Sequence, residues 1–409
     1  MPIFKMKNTL IGVLALAILA YTYELQYGLF IPGIEQPVAS VEIEIEIDKS
    51  PLFSLHRDLV NIESISNNEH NVGVLLESYL KDHNYTVERQ YIDFIQSKKK
   101  NARFNLLAYA GSNRQTPVLL TSHIDTVPPF YPYTLREREN IWGRGSVDAK
   151  ACVATQITAL QQLLASNTIS PNDVSLLYVV GEEVGGDGMH AVNDLQMKWD
   201  SVIFGEPTEL KLASGHKGIL MFTLTAHGKA GHSGYPWLGK SANHMLISAL
   251  SALRTMDLPS SEKYGNSTLN IGKINGGVAA NVIAETAIAY IGIRLAAGDP
   301  STVQQLILDT VKDIDEDIEV TFHGRGYGPV DIDHDIEGFD TMTVNYGTDV
   351  PNLDGKHKRY LYGPGNILVA HSDHEHLSTS DLMQAVEGYK KIIMAVLKRI
   401  RGRPNYDDL

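Results

Sequence analysis

Val174-Ser175-Leu176-Leu177-Tyr178-Val179-Val180 is an apolar run that ends on Gly181-Glu182-Glu183-Val184-Gly185-Gly186. Such a run, of strand length and bounded by glycine, reads as a strand buried on both faces. Two adjacent carboxylates at its C-terminal end repel each other unless a cation lies near. The same design recurs on either side. Val118 to Ser122 is a short apolar strand that opens into Thr121-Ser122-His123-Ile124-Asp125-Thr126-Val127-Pro128, and Ser201 to Gly205 is followed by Glu206-Pro207-Thr208. Val74 to Asp82 has helical spacing, as does Lys150 to Ala165, which sets Val153, Ile157, Leu160 and Leu164 on one face. Strands separated by helical segments imply an α/β fold with a mostly parallel central sheet and helices on both faces. Sheets of that kind gather their sites at the C-terminal edge of the strands.

The pattern changes near Lys217. Ile219 to Ala226 alternates, and then come a helix (Ser241 to Thr255), two strands (Ser267 to Lys273 and Ala284 to Leu295), a helix (Thr302 to Ile314) and a strand (Ile318 to Phe322). This β-α-β-β-α-β order is that of a ferredoxin-like unit. A chain of 409 residues exceeds what one hydrophobic core supports. The expected plan is a first domain over residues 51–216, an inserted α+β domain over 217–326, and a return to the first domain over 327–409, ending in the helix Thr379 to Arg401.

The N-terminus has a different character. Lys5 and Lys7 precede an apolar run from Leu10 to Ala20, the layout of a secretory signal peptide over residues 1–20. The run is short of the roughly 20 apolar residues that span a membrane, and a signal-anchor through residues 10–20 is the alternative. Residues 21–50, broken by Pro32 and Pro37, read as a spacer. This predicts the secretory pathway and a secreted product, with a vacuolar or membrane-anchored protein as the alternative. Asn84-Tyr85-Thr86 and Asn266-Ser267-Thr268 fit the N-glycosylation pattern. Cys152 is the single cysteine, so no disulfide forms within the chain. The formal net charge of −13 argues against nucleic acid or anionic lipid as a partner.

The chemistry-bearing residues fall at the strand ends. His123 and Asp125, two apart in an extended segment, share a face, so the histidine can ligate a metal while the carboxylate holds its other ring nitrogen. In Gly143-Arg144-Gly145-Ser146-Val147-Asp148 the glycines allow a tight turn that places Asp148 at the head of a helix, where helix capping is the plainer use of an aspartate. Of Glu182 and Glu183, one can ligate a metal while its neighbour stays free as a general base. Near the end, Gly363-Pro364-Gly365-Asn366 precedes Ala370-His371-Ser372-Asp373-His374-Glu375-His376, and three histidines compete for one role.

As a set and in this order, these loops resemble the two-zinc amidohydrolase and peptidase family that includes acetylornithine deacetylase, succinyl-diaminopimelate desuccinylase, aminoacylase and glutamate carboxypeptidase. The look is closest to its secreted fungal carboxypeptidases, and the resemblance runs from about Pro51 to Arg401. It implies a zinc-peptidase-like catalytic domain with an inserted lid or dimerisation domain, and hence a homodimer through that insert. It implies two Zn2+ per chain: His123 and Glu206 each on one ion, Asp148 bridging, Glu183 on one metal and His371 on the other. Glu182 is then the general base, and Asp125 orients His123. Gly228-Lys229-Ala230-Gly231-His232-Ser233 resembles the segment whose histidine reaches the substrate carbonyl, often across a dimer interface. Asn281 and Arg294 resemble residues that hold the substrate's carboxylate. The implied activity is hydrolysis of an amide or peptide bond beside a free carboxylate, with a small peptide as substrate; the alternative is an N-acyl amino acid and a deacylase. The family commonly has Gly after Asp-x-Lys, where this chain has Ala151 and Cys152, which puts tighter helix packing beside the metals.

Overall fold

The computed structural model describes residues 47, 49–92, 101–137 and 139–402. The signal segment, the apolar run at 10–20 and nearly all of the spacer lie outside them. Among the described residues no helix is long and apolar enough to cross a membrane.

Residues Pro51–Leu409 form one compact unit. It opens with helices α1 (Pro51–Val60) and α2 (His70–Asp82). Strands β1 (Thr86–Tyr91), β2 (Phe104–Tyr109) and β3 (Val118–His123) follow, then helix α3 (Lys150–Ala165), β4 (Val174–Val179) and β5 (Ser201–Gly205). Every residue of β3, β4 and β5 is buried, which is what their unbroken apolar runs require. Helix α3 is buried at every position from Lys150 to Leu160 and again at Leu163, whereas Leu164 is half-buried. It is packed on more than the one face its spacing suggested, because α1 and the C-terminal helix both lie against it.

The chain then builds a second sheet. Strand β6 (Gly218–His227), helix α4 (Ala242–Arg254), β7 (Thr268–Gly276), β8 (Thr286–Leu295), helix α5 (Pro300–Lys312) and β9 (Ile318–Tyr327) follow in turn. The strand order is β7-β8-β6-β9, antiparallel throughout. Alternate residues of β6 (Leu220, Phe222, Leu224 and Ala226) pack into a core shared with Leu246 and Leu250 of α4 and Ile307 of α5. Both helices start on side-chain caps: the Ser241 oxygen accepts the His244 N–H, and Asp299 accepts the Ser301 N–H.

Beyond this insert, β10 (Lys358–Tyr362) rejoins the first sheet beside β5, and helix α6 (Thr379–Arg401) closes the fold. The central sheet has the order β1-β2-β4-β3-β5-β10. It is parallel only from β4 to β10; β1 and β2 pair antiparallel with each other, and β2 pairs antiparallel with β4. The sheet is thus mostly parallel, as expected, with an antiparallel edge of β1 and β2 added to it. A three-stranded sheet that the sequence reading did not anticipate pairs Leu212–His216 with Thr341–Val344 and Val330–Asp331.

Register decides where the site falls. His123 of β3 is level with Val179 of β4, and Gly205 of β5 is level with Tyr362 of β10. The loops starting at Gly181, Glu206 and Gly363 therefore leave the sheet along one edge, beside His123.

Candidate metal centre

His123 Nε2 lies 3.1 Å from Asp148 Oδ1 and 3.8 Å from Glu206 Oε1. Its other ring nitrogen faces Asp125, 3.4 Å from Oδ1. Asp148 comes from a loop instead of a strand end. Gly145 turns that loop at φ +84°, and a Cβ there would press against Thr126 and the Lys150 stem. The second Asp148 oxygen lies 3.3 Å from His371 Nε2, which is 3.0 Å from Glu183 Oε2. Two donor groups result, His123–Asp148–Glu206 and Asp148–Glu183–His371, each with ligand atoms within 4.8 Å of one another. They share Asp148, one oxygen to each. The Asp148 side chain caps no helix; the N-cap of α3 is Ala149.

Charge crowding defines the site. Burial first, and then the Glu206 carboxylate, push the Glu182 carboxyl well above the usual carboxylate range. Burial likewise raises Glu206 and Glu183, with the Asp148 charge adding to both. His371 is raised to about 10 by Asp148 and then Glu183. Asp148 itself is held low, against burial, by hydrogen bonds from His123 and His371. So dense a set of carboxylates needs protons or divalent cations to neutralise it. The donors are all nitrogen and oxygen, which suits zinc and admits cobalt or manganese.

Several residues the sequence reading gave no role hold this arrangement. Glu375 is buried, and its Oε1 accepts the backbone N–H groups of Gly145 (2.9 Å), Val147 (3.1 Å) and Asp148 (3.3 Å). Its Oε2 accepts Arg144 Nη1 at 2.6 Å. Lys150 Nζ donates to the carbonyls of Leu59 and Ile62, each at 2.9 Å, and burial pulls its pKa to about 7. Cys152 occupies the space above two strand-end glycines: a Cβ at Gly205 would meet its Cβ at 2.6 Å, and one at Gly363 its Sγ at 2.5 Å. Cys152, two residues after Lys150, is thus accommodated by glycine across from it. The other late histidines point elsewhere. His374 pairs with Asp373 at 3.1 Å, and His376 stacks on Trp142 with ring centroids 4.7 Å apart.

The inserted domain splits the remaining candidates. Arg294 sits on β8 opposite Ile219, while Thr286 at the other end of β8 is opposite His227. The eight residue steps from one to the other span about 27 Å of antiparallel strand. His232 and Asn281 adjoin the Thr286 end: His232 pairs with Val282, and the Ser233 N–H donates to the Asn281 carbonyl. Both are exposed. Within a single chain Asn281 and Arg294 therefore lie at opposite ends of β8. Among the described residues no hydrogen bond joins His232 to the acidic cluster; its ring nitrogen accepts the Gly234 N–H.

Residues 214–319 match the M20 peptidase dimerisation domain and residues 105–204 match peptidase family M28. Over 387 residues the chain is 49% identical to a protein of Aspergillus flavus named a probable carboxypeptidase, covering 86% of this chain and 89% of the relative. The chain belongs to the M20 metallopeptidase family. It is accordingly a metallohydrolase, and its fold is that of M20 enzymes of known structure. An M20 metallo-carboxypeptidase from Sulfolobus solfataricus superposes with a TM-score of 0.68 at 19% identity, covering 85% of this chain and 99% of that one. A Bacillus subtilis protein described as a dinuclear metal-binding M20 peptidase gives 0.60 at 15% identity, covering 87% and 99%.

Proposed function

We propose that this chain is a zinc-dependent exo-carboxypeptidase of the secretory pathway, cleaving the peptide bond beside a free C-terminal carboxylate. The observation that supports it most is the pair of donor groups joined through Asp148, with Glu182 beside them and in neither. His123 and Glu206 would hold one zinc ion and Asp148 would bridge; Glu183 and His371, expected from the sequence on different metals, would share the other, since they fall in one donor group. Bound there, such a pair supplies Lewis-acid polarisation of a carbonyl and acidification of water to a pKa of about 7.

The chain's own residues supply the rest. Glu182 takes a proton from the attacking water and passes it to the leaving amine. Burial, and then the Glu206 carboxylate, raise its pKa above the usual carboxylate range, which strengthens it as a proton acceptor. Asp125 fixes the His123 ring with Nε2 towards the metals. Arg294 grips the substrate's carboxylate within the same chain, and His232 and Asn281 reach the site of a second copy, His232 stabilising the developing oxyanion. Lys5, Lys7 and the run Leu10 to Ala20 support export.

The test is Glu182→Gln in the full chain loaded with zinc, assayed against peptides and N-acyl amino acids with products identified by mass. Turnover should fall at least 100-fold while metal content stays near that of the parent. A variant with more than about one percent of parental activity would show that Glu182 is not the base. N-acyl amino acids cleaved in place of peptides would move the assignment to a deacylase.

A further inference from the structure

Arg294 of β8 and Tyr327 at the end of β9 are both opposite Ile219 of β6, one from each side. Residues in register across neighbouring strands put their side chains on the same face. The two side chains then meet: a Cβ built on Gly347 would lie 2.5 Å from the Tyr327 hydroxyl and 3.2 Å from Arg294 Nη1. Gly347 leads into Thr348 and Asp349, which line a small cleft together with the metal-cluster residues His123 and Glu206. Two hydrogen-bond donors carried by separate strands therefore converge on one point beside the acidic cluster.

The Tyr327 oxygen takes a hydrogen bond from the Thr348 backbone N–H, which leaves its own O–H to donate. Arg294 is half-buried, and among the described residues no carboxylate pairs with it. A guanidinium that has lost part of its water and found no counter-ion suits an arriving carboxylate. Tyr327 is held edge-on by the His216 ring, with centroids 5.9 Å apart, and His216 Nε2 is 3.1 Å from the Thr348 hydroxyl. Burial, and after it the Glu182 carboxylate, push the phenol well above the usual tyrosine range. It stays a donor, within electrostatic reach of the residue assigned as general base.

We propose that Tyr327 is a substrate-binding residue whose phenol O–H, together with the Arg294 guanidinium, forms a two-point clamp on the substrate's free carboxylate. The clamp rests on the carboxypeptidase reading and deepens it. It anchors the C-terminus through residues of the same chain as the metals, and it makes the free carboxylate a condition for productive seating.

The test uses the full zinc-loaded chain with N-acylated dipeptides, each as the free acid and as the C-terminal carboxamide. Loss of one hydrogen bond to a charged group is worth about 10- to 100-fold. Tyr327→Phe should shrink the acid-over-amide ratio of kcat/KM by that factor, chiefly through KM. Arg294→Ala should shrink it too, and the double variant by less than the product of the two, since both donors share one ligand. Thermal unfolding and zinc content confirm that each variant is folded and loaded. A parent enzyme indifferent to acid or amide removes the carboxypeptidase reading and the clamp together. A parent that prefers acids, with the preference intact in Tyr327→Phe, removes Tyr327 alone. An equal loss on both substrates marks the tyrosine as a packing residue and also overturns the proposal.

Discussion

Asp125 Oδ1 accepts the backbone N–H of Glu182 at 3.1 Å. The same carboxylate accepts the Glu183 N–H at 3.2 Å and the Ser66 hydroxyl at 2.7 Å, and it faces His123 Nδ1. One buried residue thus aligns the acidic loop after β4 through its carboxylate and an imidazole on β3 through both its carboxylate and its backbone carbonyl, the latter 3.1 Å from His123 Nδ1. Asp125→Asn keeps the size but turns one acceptor into a donor aimed at N–H groups. Residues that orient metal ligands in this way typically contribute 10- to 100-fold. We expect metal affinity, measured by chelator competition, or turnover to fall by about that much. A variant equal to the parent in both would show that the loop holds its shape without Asp125.

The late loop gives a sharper contrast. His371→Ala should lose one metal per chain by elemental analysis, because His371 Nε2 sits between Asp148 and Glu183. His374→Ala and His376→Ala should keep both, their rings being committed to Asp373 and Trp142. Metal loss from His376→Ala alone would mean that the ligand was misassigned.

The strand ends were legible because an apolar run stopped by glycine and acid leaves one physical solution, which β4 and β5 follow, while β3 stops on the polar Thr121, Ser122 and His123. The inserted domain was legible by the alternation of its first strand and by the order of its elements. Glu375 was not. Its partners are backbone N–H groups more than two hundred residues away, and backbone donors leave no mark in a sequence. Arg144 and Lys150 were hidden for the same reason: one pairs with Glu375 and the other with carbonyls of the α1 end. Strand β10 was missed because Lys358 and Arg359 break its apolar pattern; only Tyr360, Leu361 and Tyr362 are buried.

Acid should destabilise the chain through three buried histidines. Burial lowers His56, His216 and His357 to about 4 each. In the unfolded chain their pKa is about 6.5. Folded-state values below the unfolded one mean that unfolding takes up protons as pH falls past 6.5, so the stabilisation is full above that and is lost on the way down to about 4. For a fully buried ring such a lowering is worth on the order of 3 kcal/mol. Urea unfolding of the metal-loaded chain between pH 7 and pH 4 should show this slope. His56→Gln and His216→Gln should each flatten it, and slopes equal to the parent's would mean these rings do not titrate with folding.

The longest-range prediction concerns the tip that carries His232 and Asn281. It lies about 27 Å along β8 from Arg294, and it is exposed and apolar around the two polar residues: Val278 is 88% and Trp237 is 74% exposed. The segment falls within the match to the peptidase dimerisation domain. A site that needs both ends of β8 then has to draw them from two chains. His232→Ala should cut turnover by roughly 100- to 1,000-fold, the scale for losing one oxyanion donor, with metal content unchanged. Co-expression of His232→Ala with Glu182→Gln should restore activity. In a mixed dimer one site pairs an intact Glu182 with an intact His232 from the other chain, while the second site lacks both. A single His232→Ala variant with full activity would remove the histidine from the mechanism. An inactive variant that co-expression never rescues would place the histidine in the same chain as the metals, by a movement of the inserted domain large enough to close that distance.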